Sequence, residues 1–305
     1  MKQVAWITDD AYLQHNTGAG HPESAERLKS IYLKIEPLMD KLIEVEPRVA
    51  TIEEVRKVHS LEMIVDIQDR AKEGLPVDGD TILSKESFHV ALKAVGAGLV
   101  AVEGIKEKKF ERAFCAVRPP GHHATPTQSM GFCLFNNIAI TAKYAQSQGY
   151  EKVMIIDFDV HHGNGTQDAF YGDNSVFYFS SHQSFAYPGT GAESEKGEGK
   201  GEGYTRNHFL MPNSGDAEIL DIYENDLPKA YESFQPDIIL VSAGYDLHES
   251  DPLAQLDISF DGIRKVVSSI VNLGDKPIVF MLEGGYSVTD LGVNVFNTVE
   301  ELLKD

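Results

Sequence analysis

Six short apolar runs punctuate the chain, at residues 3–8, 112–117, 152–157, 175–180, 237–243 and 277–283. None alternates strictly between apolar and polar positions, so each reads as a strand buried on both faces. Between them, apolar residues recur every three or four positions at 23–35, 87–106, 137–148, 217–234, 260–272 and 288–303. That spacing belongs to helices with one buried face. Strands that alternate with helices predict a single α/β domain over residues 1–305, with a central, mostly parallel sheet covered by helices on both faces. No repeat and no dividing linker interrupts the pattern. One segment departs from it: "ESEKGEGKGEGYT", residues 193–205. Its Gly, Glu and Lys content predicts a mobile surface loop whose role the sequence leaves open.

In such sheets ligands bind beyond the carboxyl ends of the strands. Five strands are followed by chemistry-bearing residues: "RPPGHHA", "DFDVHHGNG", "SSHQSFAYPGTG", "SAGYD" and "LEGGY". All five should open on one rim. Within "DFDVHH", residues two apart in an extended segment share a face, which groups Asp157, Asp159 and His161. Carboxylate and imidazole at this spacing offer ligands to a zinc-like ion. A catalytic zinc takes three protein ligands and keeps one open position, and Asp246 in "SAGYD" is the expected third donor. Each residue alone is as ordinary as a capped loop; together they favour a metal.

Water on such an ion has its pKa lowered to about 7, and the reaction then needs a base and an acid. His122 and His123 offer that pair, on a segment stiffened by Pro119 and Pro120 and bent at Gly121. Asp157 is left to orient His122, and Asn164 to orient His123. Tyr286, after two glycines, is placed to donate to a developing oxyanion, though position alone fits an ordinary tyrosine too. His21 either lines the rim or packs near a helix start. Phe132 and Tyr187 either wall an apolar tube or belong to the core.

Composition narrows the setting. The chain has 305 residues, 42% hydrophobic and 24% charged, and a formal net charge of −20. Such acidity argues against a nucleic-acid-binding surface. It steers cationic ligands, or serves only solubility. Cys115 and Cys133 lack metal spacing and read as buried thiols of a reducing compartment. No secretory signal and no run of about 18 apolar residues stand out, so the expectation is a cytoplasmic protein without a membrane span.

The quoted blocks, with "GHPESAERL" near the start, resemble the zinc-dependent histone deacetylase and acetylpolyamine amidohydrolase superfamily, in its class II-like bacterial or archaeal branch. The matching blocks span residues 15–290. The resemblance implies an arginase/deacetylase-like fold, zinc on Asp159, His161 and Asp246 (ferrous iron being the alternative in the cell), and His122 and His123 as tandem general base and acid. It implies Asp157 behind His122 and Tyr286 at the oxyanion. Gly131, Phe132 and Tyr187 would wall an acyl-lysine tunnel, Asp80 would grip substrate amides, and His21 and Leu253 would border the site. Two structural potassium sites are implied: Asp157, Asp159, His161, Ser180 and Ser181 for the first; Phe170, Asp173, Val176 and Tyr204 for the second. Asn164 stands where many members carry aspartate. Leu253 stands where polyamine-selective relatives carry an acid, which leans toward acyl-lysine.

The implied function is metal-dependent hydrolysis of N-acetyl or other N-acyl amides on primary amines, acetyl-lysine side chains foremost. The alternatives are an acetylpolyamine amidohydrolase, a non-catalytic acyl-lysine binding protein and a part in acetoin metabolism. Acyl chain length and oligomeric state stay open, with a homodimer among the candidates.

Overall fold

The structure, a computed structural model, describes residues 2–305. It contains a single sheet of eight strands, all parallel: β1 (Val4–Ile7), β2 (Ile43–Val45), β3 (Arg112–Cys115), β4 (Val153–Asp157), β5 (Val176–Gln183), β6 (Thr205–Leu210), β7 (Ile238–Ala243) and β8 (Ile278–Leu282). Their order across the sheet is β2-β1-β3-β8-β7-β4-β5-β6. The six apolar runs are β1, β3, β4, β5, β7 and β8. Beyond them, β2 and β6 cover the two edges, and both escape the apolar-run pattern. β2 has three residues, none fully buried, and β6 mixes buried with exposed positions.

Among the described residues, ten α-helices flank the strands: α1 (Ala25–Ile35), α2 (Ile52–Val55), α3 (Leu61–Glu73), α4 (Ser87–Lys106), α5 (Asn137–Ser147), α6 (Asn164–Phe170), α7 (Asp216–Asp221), α8 (Leu227–Phe234), α9 (Phe260–Val271) and α10 (Val288–Leu302). α4 and α5 pack together, and α10 packs on α1 and α9. The helix expected over 217–234 is continuous but carries a π-helical stretch, Ile222–Asp226, between α7 and α8. Starts are set by side chains that satisfy the orphan amides of a first turn. Ser60 accepts from Met63 N (3.2 Å), Ser259 from Gly262 N (3.1 Å) and Asn136 from Ala139 N (3.0 Å).

α4 corrects one expectation. An 18-residue window of it has mean hydropathy 1.5, enough by length and composition to cross a membrane. That window is 72% buried, because α4 is apolar around most of its surface and lies against α5 and strands β1, β3 and β8. It is a core helix by packing.

The 193–205 loop makes backbone contacts with the rest of the domain. Glu198 N donates to Tyr171 O (2.8 Å), and Gly201 is buried against the backbone of Tyr171 and Asp173. It folds back on the turn between α6 and β5.

Candidate active site

The four central strands, β3, β8, β7 and β4, end on one side of the sheet, and their following turns converge. Asp157 closes β4 and stands in register with Ser242 of β7 and Ser180 of β5. The chain then leaves the extended form. Asp157 Oδ1 accepts from Asp159 N (3.1 Å), Asp159 Oδ1 from His161 N (2.9 Å) and Asp246 Oδ1 from Val160 N (3.0 Å). Asp157 and Asp159 thus fix the backbone that follows each, and Asp246 holds the same stretch from another strand end, in place of the extended alternation expected over 157–161.

Ligand atoms of Asp159, His161 and Asp246 lie within 4.8 Å of one another. His161 Nδ1 is 3.2 Å from Asp159 Oδ1 and 3.1 Å from Asp246 Oδ2. Such crowding is possible because glycines face the carboxylates. A Cβ on Gly244 would fall 2.0 Å from Asp159 Oδ2, and one on Gly284 2.1 Å from Asp246 Oδ2. The electrostatics show what the cluster wants. Burial disfavours the His161 cation, but its bonds to Asp159 and Asp246 outweigh this and lift it to about 10. Burial, then the charge of Asp159, pushes Asp246 up to about 7. Two buried carboxylates and one imidazole, crowded within hydrogen-bond distance of one another, are a donor set that fits a divalent cation.

Beside this cluster stand the tandem histidines. His122 Nδ1 is 3.1 Å from Asp157 Oδ2, which also accepts from Tyr178 OH (3.1 Å). Burial opposes a charge on His122, yet Asp159, Asp157 and Glu283 hold its pKa well above the ordinary value. His123 goes the other way: burial, the His122 cation and His161 keep it neutral. Its Nδ1 is 2.9 Å from Asn164 Oδ1, while the Asn164 amide nitrogen points at Met130 Sδ (3.5 Å). That orientation puts the His123 proton on Nδ1 and the lone pair on Nε2.

A cavity of about 220 Å³ opens over these groups, lined by Asp80, His123, Gly131, Phe132, His161, Tyr187, Leu253 and Tyr286. A hollow of about 500 Å³ elsewhere, beside Trp6 and Tyr32, lacks such an acid–base pair, so chemistry rather than size selects the site. Gly131 (φ +57°) and Phe132 (φ +66°) are both left-handed, which aims Phe132 into the cavity at some backbone strain. A Cβ on Gly131 would come within 2.6 Å of the His123 ring. The Tyr187 ring stands edge-on to His123, centroids 5.1 Å apart. Tyr286 meets Phe132 edge-on at 5.7 Å, and its hydroxyl forms no hydrogen bond among the described residues.

Of the residues expected at the rim, Asp80, Gly131, Phe132, Tyr187 and Leu253 line the cavity. His21 stands one layer back. It lies edge-on to Phe132 (4.9 Å), and its Nε2 is 2.8 Å from Asp80 O. The residues expected around potassium are spread over the end of β4 and the turn after it (Asp157, Asp159, His161), the end of α6 and the turn after it (Phe170, Asp173), β5 (Val176, Ser180, Ser181) and the residue before β6 (Tyr204). Ser180 and Ser181 lie on β5, their hydroxyls on His182 (2.9 Å) and Tyr223 (3.0 Å), and Val176 starts it. Phe170 O accepts from Asp173 N (2.9 Å), and Tyr204 O from Tyr178 N (2.9 Å).

Sequence reasoning missed the supports. Asp251 accepts from the backbone of Tyr286 (2.6 Å), Ser287 (3.1 Å) and Leu253 (3.0 Å), fixing two cavity residues at once. Glu23, expected in the first turn of α1, precedes that helix and lies fully buried between Arg27 and Arg118. Its carboxylate takes Arg27 Nη1 (3.1 Å), Arg118 Nη2 (2.8 Å) and Arg118 Nε. Arg27 continues to Glu283 O (2.6 Å) and Gly285 O (2.7 Å), with its guanidinium 5.0 Å from the centre of the Tyr286 ring. The one sequence signal was the Glu23–Arg27 spacing at i,i+4.

Comparisons with known proteins agree with this geometry. Residues 21–302 match the histone deacetylase domain. A probable deacetylase of Archaeoglobus fulgidus is 38% identical over 301 residues, covering 94% of this chain and 84% of that protein. The chloroplastic histone deacetylase 10 of Oryza sativa subsp. japonica is 40% identical over 325 residues, covering 98% of this chain and 73% of its own. Among solved structures, the crystal structure of the HDA15 HD domain superposes with a TM-score of 0.94 at 32% identity, covering 99% of this chain and 88% of that one. With its sheet, its convergent strand ends and these relatives in agreement, the chain belongs to the histone deacetylase family, hydrolases of acetylated amides.

Proposed function

We propose that the cavity cleaves the amide between an acetyl group and a primary amine, with acetyl-lysine side chains of proteins and peptides as substrates. One observation carries this reading: Asp159, His161 and Asp246 meet beside His123 at a cavity walled by Phe132 and Tyr187. Those three residues would hold a divalent cation, zinc or ferrous iron, which would supply Lewis acidity at the cavity floor when bound.

The chain's own residues do the rest. The Phe132 and Tyr187 rings take the alkyl stem of the substrate and exclude water from it. Asn164 holds the His123 tautomer, so Nε2 accepts the proton of the attacking water and returns it to the departing amine. His122 does not line the cavity. Held cationic by Asp157 and Asp159, it stabilises the negative charge that develops nearby. This reading gives both proton transfers to one imidazole, where the resemblance implies a base-and-acid division between His122 and His123. The Tyr286 hydroxyl donates to the oxyanion. Asp80, at the mouth, accepts from backbone amides of a polypeptide, and Leu253 offers a free polyamine no charge to bind.

Acetyl-lysine peptides and acetylated putrescine or spermidine, assayed side by side on metal-reconstituted protein, test the assignment. Peptides should lead by at least about tenfold in kcat/KM, or about 1.4 kcal/mol of barrier. The reverse order would assign the protein to polyamines. Peptide binding without acetate release would make it a reader of acylated lysine. The same reading extends to potassium as a structural ion; a melting temperature that is the same in potassium and tetramethylammonium salts would reject it.

A further inference from the structure

Glu283 is a buried carboxylate that the chemistry above does not use. It follows β8 directly and opens the turn that ends in Tyr286. Its Oε2 accepts from Gly121 N (2.6 Å) and His122 N (3.1 Å). Its Oε1 is buried without a hydrogen-bond partner among the described residues. Its own amide donates to Ala243 O (3.0 Å), and its carbonyl receives Arg27 Nη2 (2.6 Å). With the Arg118–Glu23–Arg27 chain, these contacts close a ring between the turn that carries the tandem histidines and the turn that carries Tyr286.

We infer that Glu283 is a positioning residue: its carboxylate holds the Gly121–His122 backbone and so sets the placement of His122 and His123 in the reaction. This rests on the deacylase reading of the cavity.

Three observations support it. Burying a carboxylate costs free energy unless it is well bonded, and among the described residues only one of its two oxygens is, so its own burial does not explain a carboxylate at this place. The bonded oxygen satisfies two amides that would otherwise be buried donors without acceptors. The turn is also closely packed: a Cβ on Gly121 would lie 2.5 Å from Asn137 N and 2.8 Å from Phe135 O. A shift of about 1 Å in a catalytic group costs on the order of a hundredfold in rate.

The test compares Glu283→Leu, Glu283→Gln and Glu283→Asp in the metal-loaded full-length protein, with metal content, kcat and KM measured for each. The leucine variant should lose about ten- to a hundredfold in kcat, with KM and metal content held within about twofold. Glutamine keeps an acceptor at the same reach and should restore most of the rate. Aspartate, one methylene shorter, should not, and the Gln–Asp contrast decides the matter if the leucine variant does not fold. The amide protons of Gly121 and His122, shifted downfield by the carboxylate, should move upfield in Glu283→Leu. Unchanged kcat and amide shifts in the leucine variant overturn the inference, as does a loss that falls on KM or on metal content. If the wild type releases no acetate from any substrate, the deacylase reading fails, while the amide shifts still decide whether the carboxylate clamps this turn.

Discussion

Replacing Glu23 by glutamine preserves the shape of the side chain and removes the charge between two buried guanidiniums. The cost follows from the carboxylate's surroundings. Burial alone would raise its pKa, but Arg118 and then Arg27 outweigh that and hold it at about 2, against 4.5 for an unperturbed glutamate. A gap of about 2.5 units is about 3 kcal/mol of preference for the ionised form. This agrees with the roughly 3–5 kcal/mol lost when one partner of a buried ion pair is removed. The folded-state pKa lies below the unfolded one, so this stability is fully present above about pH 4.5 and is lost as pH falls toward 2. Urea unfolding at pH 7 should therefore show Glu23→Gln weaker by about 3 kcal/mol, and by the same amount at pH 8 and pH 5. Because the carboxylate is fully buried, the deficit should persist in high salt, where exposed ion pairs fade. A deficit under about 1 kcal/mol, or one that vanishes in 0.5 M salt, would refute the account.

Tyr286→Phe should retain metal and lose at least about a hundredfold in kcat, read from steady-state rates with the metal measured alongside. His161→Ala should purify without a full complement of divalent cation and without activity, as checked by elemental analysis. Burial lowers His15, His59 and His182 to about 4. The unfolded chain therefore takes up protons first as pH falls from about 6.5 toward 4, and the urea midpoint should drop steadily through that window; a midpoint that holds level from pH 7 to 5 would contradict these buried, neutral histidines.

The core of the sheet was legible because β3, β4, β7 and β8 are buried on both faces and so read as unbroken apolar runs. The edges were not. β6 keeps Phe209 exposed and begins directly after a glycine-rich loop, so neither its pattern nor its flank signals a strand. The site was legible where residue type carries the chemistry, as with Asp159, His161, Asp246 and the tandem histidines. It was illegible where a common residue acts through a distant backbone. Arg27 reaches Gly285 across 258 positions and Glu283 reaches His122 across 161, and no local pattern records such a bond. Asp251 likewise acts through the amides of Tyr286 and Ser287.

The strand order has a consequence for how the molecule is made. β8 is the strand that joins β3 to β7, and it is the last of the eight to leave the ribosome. Until residues 278–282 emerge, β2-β1-β3 and β7-β4-β5-β6 are two separate partial sheets, each with an unpaired inner edge. Such edges are templates for wrong pairing. The two inner edges can be covered only after β8 is made, which is late in the chain. Truncation just before β8 should yield one insoluble chain with two unjoined partial sheets rather than a slower enzyme.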